Sequence, residues 1–549
     1  ANAGCQKGQA MRPAISECVG DLVDQAAWAN PDREALVFED QRLTFAQFKG
    51  QVDITARALM GLGIAPGDHV VLFMPNSVEW LCAFYALAKL GAVVVPVNTR
   101  FRSHDLDYLL KQSDAHAVIA DLHIAGLDVQ AMLGELLPEV VHGSPGWVSA
   151  NYPKLRHLIT LQAGALAGAL PWSHLLQSVS SLDANELAQR QSQVKPQDAV
   201  LILYTSGTTG SPKGAVHAHG MVRTMVDAAS RLGVSQSERI LLFLPLFHSM
   251  GLYLGGLMFL VAGARLILSP RFEPDLEWGR IERERVSFLL GFDTHYQDLL
   301  KHPEFDQRDH SSVRIGMVPA GSAASQSTAL QVNERLCRSF SGYGSSECGT
   351  AIALSFLDAD LTQRSLGSGY PMPGYDFEVR DPQTRVPMPA GEVGELWIKG
   401  YGVMLRYHAK PQETREAFDE NNWFKTGDMA TMDGGGFLRY IGRFKDMLKV
   451  GGENVDPTEV EAFLSQLPGL ENVKLVGVAD DRLGDLPVAC CTPGQHPVTL
   501  ADVQAHCKGR IASFKTPRQL VWLASYPMTS TGKLQRSQLR QAVMQALEK

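Results

Sequence analysis

Over roughly the first 320 residues the chain alternates short apolar blocks with amphipathic stretches. Residues 69–74 form an apolar run, residues 76–90 carry apolar positions at helical spacing, and residues 92–97 form a second apolar run. That order predicts a strand–helix–strand unit of a parallel sheet. Residues 117–120 and 199–204 have the same buried-strand character, and residues 221–232 read as a helix. Runs at 240–245, 265–269, 288–291 and 315–319 continue the alternation, with helical segments between them. The pattern predicts a large α/β body built on several parallel strands.

Beyond about residue 370 the pattern changes. Residues 377–380 and 394–399 alternate apolar and polar side chains, which predicts antiparallel strands packed on the main body. A Gly-rich stretch at 433–436 precedes a charged segment at 442–446. A smaller α+β unit is expected from there to Lys549, with strands near 475–478, 488–491 and 520–523 and a helix near 501–511. The joint falls near Lys445, dividing the chain into residues 1–444 and 445–549. A length of 549 residues exceeds what one core normally serves, so two or three units are expected.

Composition narrows the function classes. With 45% hydrophobic and 20% charged residues the chain reads as a soluble globular enzyme. Its net charge of −8 gives no general attraction to nucleic acid or anionic lipid, so a polyanionic substrate must be held by local donors. No nucleic-acid partner is expected. Cysteines at 5, 18, 82, 337, 348, 490, 491 and 507 form no C-x-x-C pair, which suggests neither a zinc site nor a disulfide framework and fits a cytoplasmic location. The apolar run 254–262 is too short and too broken by glycine to span a bilayer, so no integral membrane segment is expected. Residues 1–11 carry a basic residue without an apolar stretch and do not read as a signal peptide; Met11 is a candidate start. A homodimer is compatible with the sequence, although nothing selects it.

The first chemical signal follows the strand at 199–204. Thr205, Ser206, Gly207, Thr208, Thr209, Gly210 and Lys213 crowd glycines, hydroxyls and one ammonium into a single loop. Glycine lets backbone N–H groups turn toward an anion, hydroxyls add donors, and lysine adds a point charge for a phosphate. The loop ends Pro-Lys-Gly and lacks the Walker A spacing, which disfavours a P-loop ATPase.

Residues 204–214 resemble the phosphate loop of the adenylate-forming superfamily, which includes acyl-CoA synthetases, peptide-synthetase adenylation domains and beetle luciferase. The resemblance recurs in the family's order from about residue 20 to residue 540. It implies a large multi-sheet N-terminal domain and a smaller, mobile α+β C-terminal lid. Ser341, Gly342, Tyr343, Gly344, Ser346 and Glu347 are similar to the segment that holds adenine, α-phosphate and magnesium. There Tyr343 offers a face to the purine and Ser346 a donor to the α-phosphate, where many relatives have threonine. Glu347 offers a hard oxygen to Mg2+. Gly321 and Ser322 correspond to another wall of the nucleotide site. Asp428 suits both ribose hydroxyls, and Arg443 suits ribose or phosphate oxygens.

The remaining motifs concern the lid and the acid. Lys445 stands at the family's hinge, where many relatives have aspartate and others lysine. Gly451 and Gly452 resemble the glycines lining the thiol's path. Lys533, in Thr-Gly-Lys-Leu-Gln-Arg, resembles the lysine that neutralises charge where carboxylate and α-phosphate meet. His248 resembles a histidine that borders the acyl and nucleotide sites of acyl- and aryl-CoA ligases, whereas amino-acid-activating relatives generally carry aspartate there. Phe247, Met250, Gly251 and Phe292 are candidate acyl-pocket residues. One departure is Asp293, which replaces a proline common in relatives, with His295 two residues on. Asp298 stands where malonate-type ligases have an arginine clamp. Together these imply an acyl-CoA synthetase using ATP, Mg2+ and coenzyme A on an apolar monocarboxylic acid, with Lys533, Glu347, His248 and Lys445 as its working residues. The rival readings are an acyl-AMP ligase that loads a separate carrier protein and a luciferase-like oxygenase.

Overall fold

The computed structural model describes residues 17–143, 146–164, 166–181, 184–205, 212–319, 323–450, 453–480, 483–493, 497–508, 510–529 and 534–548. The N-terminal body holds two large sheets. The eight-stranded sheet runs Arg406–Tyr407, Lys213–Ala218, Ala199–Thr205, Val93–Pro96, His69–Phe73, Ala117–Ala120, His157–Thr160, Leu170–Pro171. Its strands are parallel except for Lys213–Ala218, antiparallel to both neighbours. The seven-stranded sheet runs Arg338–Phe340, Ile315–Met317, Phe288–Leu290, Arg239–Leu242, Arg265–Leu268, Glu34–Phe38, Gln41–Thr44, and only the last pair is antiparallel. The apolar blocks expected as parallel strands are these strands, and most are buried on both faces, which is why they read as unbroken runs rather than alternations.

The helix Val78–Leu90 is buried almost throughout and belongs to the core shared by both sheets. Ser77 caps its start, accepting from Trp80 N at 3.1 Å, and Gly91 ends it in the left-handed region. Lys89, 1% exposed, is held by Asp24 and Asp53 at 2.8 and 2.7 Å, the pairing that a buried ammonium requires. The apolar run after His248 departs from regular helix. Residues Leu252–Leu257 form a π-turn between Ser249–Gly251 and Met258–Ala262. Close packing accounts for the glycines there: a Cβ on Gly255 would lie 2.5 Å from Leu242, and one on Gly256 2.9 Å from Leu246. Such bulges recur at functional sites.

Antiparallel strands follow, two of them where the alternation at 377–380 and 394–399 predicted. Gly342–Ser345, Gly349–Leu354 and Tyr370–Pro371 make a three-stranded sheet, and Tyr375–Arg380, Gly394–Gly400, Phe424–Met432 and Leu438–Arg443 a four-stranded one. The last sheet uses Glu453–Val455, Leu448–Val450, Gly484–Cys491, Lys474–Asp480 and Gln519–Trp522. Helices Pro457–Leu464 and Leu500–Cys507 contribute to one of its apolar clusters and Arg536–Leu547 to the other. Among the described residues these two clusters draw only on positions from 448 onward, and the body's clusters on none beyond 440. The smaller C-terminal domain therefore has its own core. Among the described residues no helix is long and apolar enough to cross a membrane, and the seven described cysteines are buried and form no disulfide.

Candidate active site

The carboxyl ends of parallel strands are where open α/β sheets bind ligands, and Thr205, His248 and Phe292 end or follow such strands. Strand Ala199–Thr205 pairs with Lys213–Ala218 so that Thr205 faces Lys213 across the ladder. The Thr205 hydroxyl donates to the Lys213 carbonyl at 3.4 Å. Both stems of the glycine-rich loop are thus fixed. Strand Arg406–Tyr407 adds to the same edge, with Tyr407 opposite Ala215. This brings the Tyr407 ring under Lys213, whose Nζ is 5.2 Å from the ring centroid. The Tyr407 hydroxyl donates to Glu347 Oε1 at 3.1 Å. Lys213 and Glu347, far apart in sequence, meet across one phenol.

Glu347 sits in a tight turn. Its N–H and that of Cys348 both donate to the Ser345 hydroxyl at 3.3 Å. The Ser346 carbonyl accepts from Nε2 of His217 at 2.6 Å, and the Glu347 carbonyl accepts from Met404 N at 2.7 Å. Gly344 is required by packing, since a Cβ would lie 2.5 Å from the Gly349 carbonyl. Ser341 is fully buried, and its backbone N–H and carbonyl both engage Ser355 Oγ at 3.3 and 2.9 Å.

Tyr343, Asp428 and Arg443 form a second group. The Tyr343 hydroxyl donates to Asp428 Oδ2 at 2.5 Å, and Arg443 Nε lies 3.4 Å from Oδ1. Asp428 and Arg443 face each other in the register of their strands. Burial, then the Asp428 charge, hold the Tyr343 phenol well above its ordinary value, so it is a neutral donor at pH 7. Burial pulls the Arg443 guanidinium down, but Asp428, Tyr440 and Glu347 outweigh it and leave Arg443 above its usual range. The Tyr343 ring lies 6.1 Å from Tyr440 and 6.5 Å from Phe377. The group can present a carboxylate and a guanidinium to a sugar beside an aromatic wall.

The third group lies where the seven-stranded sheet ends. His248 precedes the short helix Ser249–Gly251, and its carbonyl accepts from Leu252 N at 3.0 Å. The segment leading to it is pinned by Asn76, 3% exposed. Asn76 Nδ2 donates to the carbonyls of Leu244 and Ser269, each at 3.0 Å, and its Oδ1 accepts from Leu246 N at 2.8 Å. Met250 is buried in the main core; Phe247 and Phe292 are half-buried, and Phe292 packs against that core. Phe292 N donates to His295 Nδ1 at 3.1 Å, which leaves the proton on Nε2. Phe272, Phe243 and Phe292 surround that imidazole at 4.7, 5.1 and 5.9 Å. Burial pulls His295 down to about 4, so it is neutral at pH 7. Asp293, the departure from the proline pattern, is the first residue of helix Asp293–Leu300, where a carboxylate opposes the positive helix end.

A family model described as AMP-binding enzyme matches residues 23–408, and one described as AMP-binding enzyme C-terminal domain matches residues 459–533. The chain belongs to the AMP-binding enzyme family. It is 35% identical over 542 residues to the putative acyl-CoA synthetase YngI of Bacillus subtilis, covering 97% of this chain and 98% of that protein. It is 35% identical over 550 residues to the mitochondrial medium-chain acyl-CoA ligase ACSF2 of Macaca fascicularis, covering 98% of this chain and 88% of that one. In structure it resembles the anthranilate CoA ligase AuaEII in complex with anthranoyl-AMP, with a TM-score of 0.83, 26% identity and coverage of 97% and 98%. The chain stands in the acyl-CoA synthetase branch of the adenylate-forming superfamily and is an AMP-forming acid–thiol ligase.

Of the ligase's expected site residues, Ser206, Gly207, Thr208, Thr209, Gly210, Gly321, Ser322, Gly451, Gly452 and Lys533 lie outside the described residues. Lys445 lies in the 3-10 turn Phe444–Asp446, and its side chain is likewise outside them. Glu347 offers one carboxylate to a cation. Among the described residues no group of three or more His, Cys, Asp or Glu could hold a metal by itself. One carboxylate completed by phosphate oxygens and water is how Mg2+ is ordinarily held, so the donor set fits a cation that arrives with the nucleotide. Sequence reasoning missed Asn76, His217 and Tyr407. None sits in a glycine-rich or otherwise marked motif; each owes its position to a long-range contact.

Proposed function

We propose that this ligase activates an apolar monocarboxylic acid (fatty, aryl or alicyclic) as its acyl-adenylate and transfers the acyl group to coenzyme A. The observation that supports the acid class is the aromatic wall of Phe243, Phe272 and Phe292 around a neutral His295, beside the sequence readings at His248 and Asp298. Amino-acid-activating relatives generally have aspartate at the position of His248, and malonate-type relatives an arginine clamp where Asp298 stands. Of the relatives, ACSF2 is by name a medium-chain acyl-CoA ligase and AuaEII a ligase of an aryl acid, anthranilate.

The substrate carboxylate attacks the α-phosphorus of ATP, an oxygen–phosphorus bond forms, and pyrophosphate leaves. The coenzyme A thiolate then attacks the acyl carbonyl, and AMP leaves with the carboxylate oxygen. In this reading Lys213, Thr205 and the loop between them hold the phosphates, while Tyr343, Asp428 and Arg443 hold adenine and ribose. Lys533 neutralises charge during the first step. Bound Mg2+ would supply charge neutralisation of the phosphates beside Glu347. Positioning and electrostatics carry both steps, so no nucleophilic side chain is required. The C-terminal domain begins at Lys445 and pivots there between the steps, with Gly451 and Gly452 lining the thiol's path. We assign the ligase to the cytoplasm. The test is ATP–pyrophosphate exchange across fatty, aryl, alicyclic, amino and dicarboxylic acids, followed by product analysis with coenzyme A. Turnover of an amino acid or malonate above every fatty or aryl acid overturns the reading.

A further inference from the structure

We propose that Tyr407 is a positioning residue of the nucleotide site: its phenol stands between Lys213 and Glu347 and keeps the two charges from closing on each other before Mg·ATP arrives. The inference rests on the reading of Lys213 and Glu347 as nucleotide-site residues. An ammonium over the face of a ring and a carboxylate at its hydroxyl would ordinarily pair directly, yet no ion pair of Lys213 occurs among the described residues. Tyr407 gives each a weaker partner instead. The ring face takes the Lys213 ammonium at 5.2 Å, and the hydroxyl donates to Glu347 Oε1 at 3.1 Å. A ligand can displace both contacts more easily than it could break a direct ion pair. Tyr407 is suited to this because its backbone is fixed. Its N–H donates to Thr414 Oγ1 at 3.0 Å, it sits opposite Ala215 in the ladder, and the next N–H, of His408, donates to the Gly214 carbonyl at 2.7 Å. The residue is 8% exposed. Arg443 and Glu413 are the other charges in the neighbourhood: Arg443 acts on Tyr407 and feels Glu347, and Glu413 feels Lys213.

The experiment uses the full chain with two readouts: equilibrium binding of ATP in EDTA, and pyrophosphate exchange against Mg2+ concentration. Tyr407→Phe keeps the ring and loses the hydroxyl. It should bind metal-free ATP as the wild type does, while the Mg2+ needed for half-maximal exchange rises about three- to tenfold. Tyr407→Leu also removes the ring and should weaken metal-free ATP binding about fivefold, the scale of one new partly exposed ion pair. That loss should vanish in a Glu347→Gln background, where no carboxylate remains to trap the lysine. A purely structural role would lower the melting temperature of both variants without this selective rescue. The proposal is overturned if Tyr407→Phe leaves the Mg2+ response unchanged, or if Glu347→Gln does not relieve the loss in Tyr407→Leu. If Lys213→Met leaves metal-free ATP binding untouched, the reading of the nucleotide site itself fails, and this inference with it.

Discussion

Asn76→Asp tests the packing argument at the acyl side most sharply. The wild-type amide donates to two carbonyls, those of Leu244 and Ser269, each at 3.0 Å, while its oxygen accepts from Leu246 N. The introduced carboxyl keeps the acceptor and the shape but turns an oxygen toward both carbonyls. Ionised, it is a buried charge facing two negative dipole ends. Protonated, it recovers one of the two donations. Its folded pKa must therefore lie above the unfolded value of about 3.9, by roughly 3 units for such burial. The sign follows from linkage: the unfolded chain ionises first, so stability relative to wild type falls as pH rises from about 4 to about 7 and then levels off. At 1.36 kcal/mol per unit, the deficit should grow by roughly 2–3 kcal/mol between pH 5 and pH 8. Asn76→Ala should lose stability by a similar total, about 1–3 kcal/mol for each buried group left unpaired, with no dependence on pH relative to wild type. Urea unfolding of the three proteins at pH 5.0, 6.5 and 8.0 measures this. Acid-dependent exchange should show a raised KM for the acid in both variants, because Asn76 fixes the segment leading to Phe247 and His248. A deficit for Asn76→Asp that stays constant or shrinks with rising pH would refute the reasoning.

Glu347→Gln should slow adenylation and raise the Mg2+ requirement; an unchanged magnesium titration removes Glu347 from the cation site. Lys533→Ala should depress acyl-AMP formation by about a hundredfold or more while near wild-type thioester formation from supplied acyl-AMP persists, both read by single-turnover kinetics. Lys445→Pro fixes φ and removes a backbone donor at the pivot, so thioester formation should suffer while adenylation largely survives; equal loss of both steps, or of neither, counts against a two-state lid.

The sequence by itself determined much of the body's strand pattern, because most of its parallel strands are buried on both faces and read as unbroken apolar runs; it did not mark the strands Glu34–Phe38, His157–Thr160 and Arg338–Phe340. It also identified Lys213, Glu347, Asp428 and Arg443 as candidates, since each lies in a short motif whose residue types suit a phosphate, a cation or a sugar. It left Asp293 and His295 unexplained; the fold resolves them as a helix start and a member of an aromatic wall. The meeting of residues distant in sequence was decided only by the tertiary structure. The edge pairing of Arg406–Tyr407 with Lys213–Ala218 puts one phenol between Lys213 and Glu347, and a single buried amide at Asn76 joins the loops that leave two sheets. A lone tyrosine or asparagine carries no periodicity and no spacing. Its role comes from the orphan donors and charges that folding brings beside it, and those exist only once strands from opposite ends of the body have paired.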